Sequence, residues 1–150
     1  FGEQQIYTLG NNTRPCSIAS GHFNNDTYLD LVVANYETNT ITILCGYGNG
    51  TVSILVDYFT GIRSQPSSVT VDGLNKDNYF DIIVTNFGSN EILIFYGLGN
   101  GLFSIPQSYS LGYNARPRSI AIGDMDHNNM LDIIVANYGT DYVEILLQTC

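Results

Sequence analysis

The sequence predicts an all-β fold built from three stacked copies of one four-stranded antiparallel unit, and three observations carry that prediction. The first is a fixed period: Pro15, Pro66 and Pro117 recur at a spacing of 51 residues, as do Asp30, Asp81 and Asp132, and Asn35, Asn86 and Asn137. The second is the pattern inside the period, short β-branched or alternating runs parted by Gly- and Asn-rich turns, with no helical spacing or caps. The third is composition: 44% of the 150 residues are hydrophobic, enough for a core, and no apolar run reaches the ~18 residues that span a bilayer. A unit that repeats without insertion is one supersecondary element, stacked on its neighbours to bury a face it cannot bury alone.

The first copy shows the elements in order. Residues 17–21 (SIASG) alternate and lead into a polar loop, and residues 30–36 (DLVVANY) form an apolar β-branched run of strand length. After the turn at 37–39 comes 40–46 (TITILCG), again alternating, and the Gly48-Asn49-Gly50 turn releases 52–59 (VSILVDYF) as a fourth strand. Four short antiparallel strands at a period near fifty match the blade of a β-propeller better than ankyrin or leucine-rich units, whose periods are shorter. An all-β sandwich or a β-solenoid is the second choice.

The expected organisation is a single repeat domain over 1–150, divided as 1–14, 15–65, 66–116 and 117–150. Residues 1–15 (FGEQQIYTLGNNTRP) align with 103–117 (FSIPQSYSLGYNARP), so the array is circularly offset. It opens with the fourth strand of a blade, and its last repeat stops after a third strand. In a ring such an offset lets the opening strand complete the last blade and remove exposed edges. Three blades fall short of the usual count of about four to eight. The expectation is a segment of a longer ring, since the sequence opens on Phe1 without an initiator Met or a signal peptide. Head-to-tail association of two chains is the alternative.

Charge narrows the partners. The net charge is −9, with five Lys and Arg against fourteen Asp and Glu, so nucleic acid would be repelled. Membrane insertion is not expected either. Eight of the ten Asp residues (Asp26, Asp30, Asp72, Asp77, Asp81, Asp124, Asp126 and Asp132) fall in the same short segment of the three repeats, between the first and second strands. In the third repeat this loop reads GDMDHNNMLD, with Asp124, Asp126 and Asn128 at alternate positions and Asp132 closing it. Oxygens at positions one, three, five and nine suit a hard cation such as calcium, with the backbone carbonyl of Met130 filling a gap. The competing reading is an ordinary hairpin connection in which Asp and Asn bond to their own backbone.

The segments GHFNNDTYLDLVVANYE, DGLNKDNYFDIIVTNFG and GDMDHNNMLDIIVANYG, together with the Gly-Asn-Gly turns, resemble the FG-GAP/VCBS repeat family over essentially the whole chain. That resemblance implies an extracellular propeller with structural calcium loops of the form D-x-[DN]-x-[DN]-G-x-x-D, serving adhesion or ligand recognition. Carried onto this chain, the pattern gives Asn24, Asp26 and Asp30 in the first loop and Asn75, Asp77 and Asp81 in the second. Position one is His22 in the first loop and Gly73 in the second, so both lack a carboxylate there. Asp72 lies one residue early, on the other face of its strand. The glycine of position six is replaced by Thr27, Asn78 and Asn129, of which Asn tolerates a left-handed backbone and Thr does so poorly. Phe1-Gly2 keeps the pair that names the family, whereas Val52-Ser53 and Phe103-Ser104 do not, which places the chain nearer the VCBS-like branch.

Other candidates read more plainly. Asn35, Asn86 and Asn137, each followed by an aromatic (Tyr36, Phe87, Tyr138), either line a groove between blades or cap strand ends beside packed rings. His22 and His127 sit in the acidic loops, and no Ser or Cys has a nucleophile's surroundings, so no catalytic residue and no organic cofactor site is assigned. The pairing of Cys16, Cys45 and Cys150 is not fixed by the sequence. Sequons at Asn11, Asn25 and Asn49 suit a secreted protein. The leading expectation is a noncatalytic extracellular recognition or adhesion module with structural calcium, its partner an extracellular protein or a glycan. A lectin-like propeller comes second, and a repeat-based polysaccharide lyase or hydrolase third.

Overall fold

A computed structural model describes residues 2–149, so Phe1, placed in the opening strand, and Cys150 lie outside the described residues. The described residues form eleven strands: β1 (Pro15–Gly21), β2 (Asp30–Asn35), β3 (Thr40–Gly46), β4 (Val52–Phe59), β5 (Pro66–Asp72), β6 (Asp81–Asn86), β7 (Glu91–Phe95), β8 (Gln107–Ser110), β9 (Pro117–Gly123), β10 (Asp132–Asn137) and β11 (Tyr142–Leu146). They make three antiparallel meanders, β1-β2-β3-β4, β5-β6-β7-β8 and β9-β10-β11. The first strands adjoin, β1 beside β5 and β5 beside β9, so the sheets stack in chain order as propeller blades do. The strands of the first sheet match the sequence expectation to within two residues at each end.

Two apolar layers hold the stack together. Val32, Ala34, Ile41 and Ile43 of the first sheet meet Val69, Ile82, Val84, Leu93 and Phe95 of the second. Side chains one residue along point the other way, and so Ile83, Ile92 and Ile94 meet Ile133 and Val135 of the third. The middle strand β6 is therefore buried on both faces over its full length, which is why it reads as a continuous apolar run rather than an alternating one. On the far flank of the third sheet, Val143 and Ile145, the counterparts of buried Ile92 and Ile94, are exposed.

Two differences from the expected elements have local causes. Strand β8 starts later than its counterpart β4, because Pro106 stands where β4 has Leu55 and offers no amide to the ladder. Residues 2–14, expected to be the fourth strand of a blade, form no strand. A fourth strand needs the edge of a third one. The free edge, that of β11, belongs to the sheet farthest along the stack from the N-terminus. The segment nevertheless lies on the flank of the first sheet as a preceding blade would. The Val52 amide donates to the Tyr7 hydroxyl at 3.2 Å, the same bond that the Phe103 amide makes to Tyr58 at 2.9 Å one repeat later.

A bulge marks the start of each repeat. Register slips between Pro15 and Ser17, between Pro66 and Ser68, and where Asn137 pairs with Pro117, leaving Cys16, Ser67 and Arg118 as the extra residues. Proline at the mouth of a strand and a re-aimed neighbour are the usual marks of such bulges. Cys16 and Cys45 are free thiols, and burial pushes the pKa of both above the usual value.

Candidate functional site

In a meander the first and third connections share one end of the sheet, and the second connection and the link to the next repeat share the other. The acidic loops all lie at the first end. All four Arg residues (Arg14, Arg63, Arg116 and Arg118) lie at the opposite end, at the links between repeats. The stack is thus polar in charge from end to end.

Each acidic loop is closed by one buried carboxylate. Asp30 accepts the amides of Phe23 and Gly46, each at 2.9 Å. Asp81 accepts those of Leu74 at 2.8 Å and Gly97 at 2.9 Å. Asp132 accepts those of Met125 at 2.7 Å and Gln148 at 2.8 Å. All three carboxylates are fully buried, and each ties its loop to the end of the third strand of the same sheet. Burial raises the pKa of Asp81, and its amide partners pull it partway back. The same double closure at position nine recurs in every repeat.

The remaining loop positions divide the three copies. In the first, the Asn24 amide donates to Asp26 at 2.8 Å, and Asp26 accepts the Tyr28 amide at 2.7 Å. The second repeats this with Asn75 donating to Asp77 at 2.9 Å and Asp77 accepting from Tyr79 at 2.8 Å. These are Asx turns in which an amide answers the carboxylate. His22, at position one, bonds through Nδ1 to the Tyr28 carbonyl at 2.9 Å, setting a donor against position seven. Asp72 accepts the amide of Gly73 next to it at 2.8 Å.

The third loop is different. Asp124 accepts the amides of Asn128 and Asn129 at 3.1 and 2.9 Å, and Asp126 accepts from the Asn128 side chain at 3.1 Å. Carboxylate oxygens of Asp124, Asp126 and Asp132 lie within 4.8 Å of one another. The only ion pair among the described residues is Arg14 with Glu37, at the other end of the stack, so no cationic side chain neutralises this group. Each oxygen carries two lone pairs, of which the amides use only part. A cluster of hard oxygen donors around one loop fits a calcium ion, and it consists of the three carboxylates, since the Asn128 side chain turns its NH₂ to Asp126 and gives its oxygen to the Met130 amide at 2.7 Å. Asn128 also donates to the Gln148 carbonyl at 2.9 Å, which fastens the loop to the segment after β11.

Backbone conformation follows the substitutions. Asn78 and Asn129 adopt left-handed φ of 71° and 63° at position six, whereas Thr27 is absent from that region, so the first loop turns differently. Position four is left-handed in all three loops, at Asn25, Lys76 and His127, each with φ of 60°. The family pattern, which asks for glycine only at position six, gives no hint of this.

At the opposite end, Asn35, Asn86 and Asn137 are buried strand-end residues rather than groove lining. Their side-chain amides donate inward, that of Asn35 to Thr42 at 2.8 Å and that of Asn137 to Glu144 at 2.8 Å. The aromatics after them form a surface row. Tyr36 and Phe87 have ring centroids 6.4 Å apart, and the Arg118 guanidinium lies 4.4 Å from the Phe87 ring and 5.4 Å from that of Tyr138. The sequons Asn11, Asn25 and Asn49 are all exposed in turns.

The FG-GAP-like repeat family model matches residues 22–84 and again 73–135. A search of curated proteins returns no match. Among solved structures, the chain superposes on one titled streptogramin B lyase with a TM-score of 0.65 at 19% identity, covering 93% of this chain and 39% of that one. It also superposes on a selenomethionine-substituted virginiamycin B lyase from Staphylococcus aureus with a TM-score of 0.63 at 14% identity, covering 98% of this chain and 45% of that one. The chain therefore spans less than half the length of these structures. At such identity the likeness is one of fold.

Proposed function

This chain belongs to the FG-GAP-like repeat family, of the VCBS type, and on that footing we propose that it is a noncatalytic, extracellular recognition module, part of a propeller whose third acidic loop holds a structural calcium ion. The observation that carries the calcium reading is the convergence of Asp124, Asp126 and Asp132 within 4.8 Å. Bound there, calcium would neutralise like charges that repel one another and fasten the loop between β9 and β10. The first two loops, with an amide at position three and no carboxylate at position one, offer fewer charges, and affinity follows charge count.

A structural role is favoured over a catalytic one because the buried carboxylates Asp30, Asp81 and Asp132 each spend both oxygens on backbone amides. Recognition then falls to the exposed loops and to the grooves between sheets. An extracellular protein is the first class of partner, and a glycan the second, favoured by the aromatic row at the Arg-bearing end. The exposed apolar flank of the third sheet takes a further blade, supplied by a longer chain or by a second copy.

Calorimetric titration of the chelator-stripped protein with calcium, with magnesium as control, tests the metal reading. One saturable site per chain is the expected result. No heat and no change in folding would leave all three loops as hydrogen-bonded turns. Turnover assays on a polysaccharide panel test the noncatalytic reading, which any enzyme-dependent cleavage would overturn.

A further inference from the structure

We propose that the groove between the second and third sheets, at the Arg-bearing end, binds a carboxylate-bearing saccharide such as a uronic-acid unit. The proposal rests on the recognition reading above but not on calcium. The groove has a volume of about 370 Å³ and is lined by Gln65, Phe87, Asn90, Tyr113, Asn114 and Arg116. That lies at the small end of ligand pockets, about 300 to 1,000 Å³, a size for one or two sugar rings rather than a folded epitope.

The cations are the first argument. Arg116 lines the groove, 5.9 Å from the Phe87 ring centroid, and Arg118, outside the lining, lies 4.4 Å from the same ring at the groove's margin. Neither belongs to an ion pair among the described residues, in a chain of net charge −9. Arg118 is the bulged residue of its repeat, and a bulge re-aims a side chain. An aromatic face leaves the guanidinium edge, with its fork of donors, open to a carboxylate.

The repeat supplies an internal control. Between the first and second sheets the same places hold Gln65 for Arg116, Ser67 for Arg118, Ile62 for Tyr113, Arg63 for Asn114 and Arg14 for Gln65, so that groove also carries cations but, among the described residues, has no arginine stacked on its central aromatic, Tyr36. Ser67 donates to the Pro117 carbonyl at 2.7 Å, and Cys16, its counterpart one repeat earlier, donates to that of Pro66 at 3.1 Å, so this position ordinarily ties one sheet to the next. Arg118 departs from that task. Arg14, the counterpart of Arg116 in the first repeat, is held by Glu37 at 2.9 Å, whereas Gly139 stands in the place of Glu37 beside Arg116. The cation is thus balanced within the protein in one repeat and left for an external anion in another.

The neutral lining argues for sugar. The almost fully exposed Tyr113 (97%) offers a flat apolar face for C–H groups of a pyranose, while the Phe87 ring carries the guanidiniums. Gln65 offers its side-chain amide, Asn90 its NH₂ and Asn114 its oxygen to hydroxyls, since Asn90 Oδ1 already accepts the Arg116 amide at 2.9 Å and Asn114 Nδ2 already donates to the Gly139 carbonyl at 3.0 Å. An acidic peptide would satisfy the two guanidiniums but would leave the Tyr113 face and the remaining amide groups unused.

The test is titration of the full chain, by calorimetry or NMR, with a disaccharide of glucuronic acid and N-acetylglucosamine, its carboxyl-reduced glucose counterpart, and hexaglutamate. The acidic disaccharide is expected to bind saturably, at least tenfold more tightly than the neutral one, and more weakly as salt is raised. Arg118→Gln and Arg116→Gln should each weaken it at least tenfold, and Arg14→Gln should leave it unchanged. Absence of binding, equal binding of the neutral disaccharide, or equal loss in Arg14→Gln would overturn the proposal. Tighter binding of hexaglutamate with the same arginine dependence would overturn the saccharide assignment in favour of a peptide. The comparison of acidic and neutral disaccharides uses the unmodified protein, so it decides even if a variant folds poorly. A null result leaves the calcium titration of the third loop untouched.

Discussion

Replacing Asp81 with alanine removes the acceptor for two buried amides, those of Leu74 at 2.8 Å and Gly97 at 2.9 Å. An unsatisfied buried donor costs about 1–3 kcal/mol, so the gross loss is about 2–6 kcal/mol. Part of it is returned, because the carboxylate itself is buried and its pKa is raised by that burial. The expected net destabilisation of Asp81→Ala is about 2–4 kcal/mol. Asp81→Asn keeps one oxygen for one amide and turns an NH₂ toward the other, so it should lose about half as much. Urea unfolding at neutral pH, analysed with a shared m-value, measures both. A loss below ~1 kcal/mol for Asp81→Ala, or an Asn variant as damaged as the Ala variant, would refute the view that this carboxylate works as a double amide acceptor. The pH dependence has a definite sign. The folded pKa lies above the unfolded value, so the native state holds the proton more tightly, and the cost of burying the charge is present above the folded pKa. It is relieved as pH falls through the folded pKa toward the ordinary carboxylate value of the unfolded chain. The wild-type protein should therefore gain on Asp81→Asn as the medium is acidified across that window.

Asp124→Asn should abolish calcium-dependent stabilisation while leaving the calcium-free protein folded; for the wild type, free calcium at 100 times Kd would add about 2.7 kcal/mol, read as a rise in Tm. Tyr58→Phe keeps the edge contacts with Phe95 and Phe103 but strips the acceptor from the Phe103 amide, so it should cost about 1–2 kcal/mol in urea unfolding. Gly97→Ala would place a Cβ 2.3 Å from the Phe80 carbonyl oxygen, which forces backbone to move at the amide that Asp81 holds. Its cost should reach about 1–3 kcal/mol, and a neutral result would show that the loop and the strand end are not in close contact.

Much of this was legible in the sequence because the repeat states each structural need three times. Most strand limits, the stack of three sheets, and the recurrence of Asp30, Asp81 and Asp132 at one place in each loop follow from landmarks that keep one period. What escaped has a common cause: it depends on conformation rather than residue type. Left-handed backbone at Asn25, Lys76 and His127 is shared by three unlike residues, so no pattern announces it. The bulge at Cys16, Ser67 and Arg118 is equally hidden, since the residue there changes in every copy. The unpaired segment 2–14 reads as a strand by homology with 103–117, but pairing needs a partner edge, which local sequence does not reveal. The arginine and aromatic row carried a signal in plain sight, for all four Arg residues fall in or just after the links between repeats.

The three loops amount to a mutation series within one chain. Position nine never changes, and in each copy its carboxylate accepts two amides that close the loop on its own sheet. Position one changes every time, from His22 to Gly73 to Asp124. Where it is histidine, a ring nitrogen meets the position-seven carbonyl of Tyr28 and supplies internally the positive edge that a cation would bring. Where it is glycine, the Asn75 amide answers Asp77, the one loop carboxylate beside the closing Asp81. Only where it is aspartate do three carboxylates converge. Exchanging position one should therefore move metal binding between loops: His22→Asp is expected to create a second calcium site from Asn24, Asp26 and Asp30, and Asp124→His to remove the first. Calorimetric stoichiometry reads both. If His22→Asp gained no site although the variant folded, the Asn at position three would be shown to matter as much as the missing carboxylate at position one. The account of loop charge would then shift from one residue to the pair.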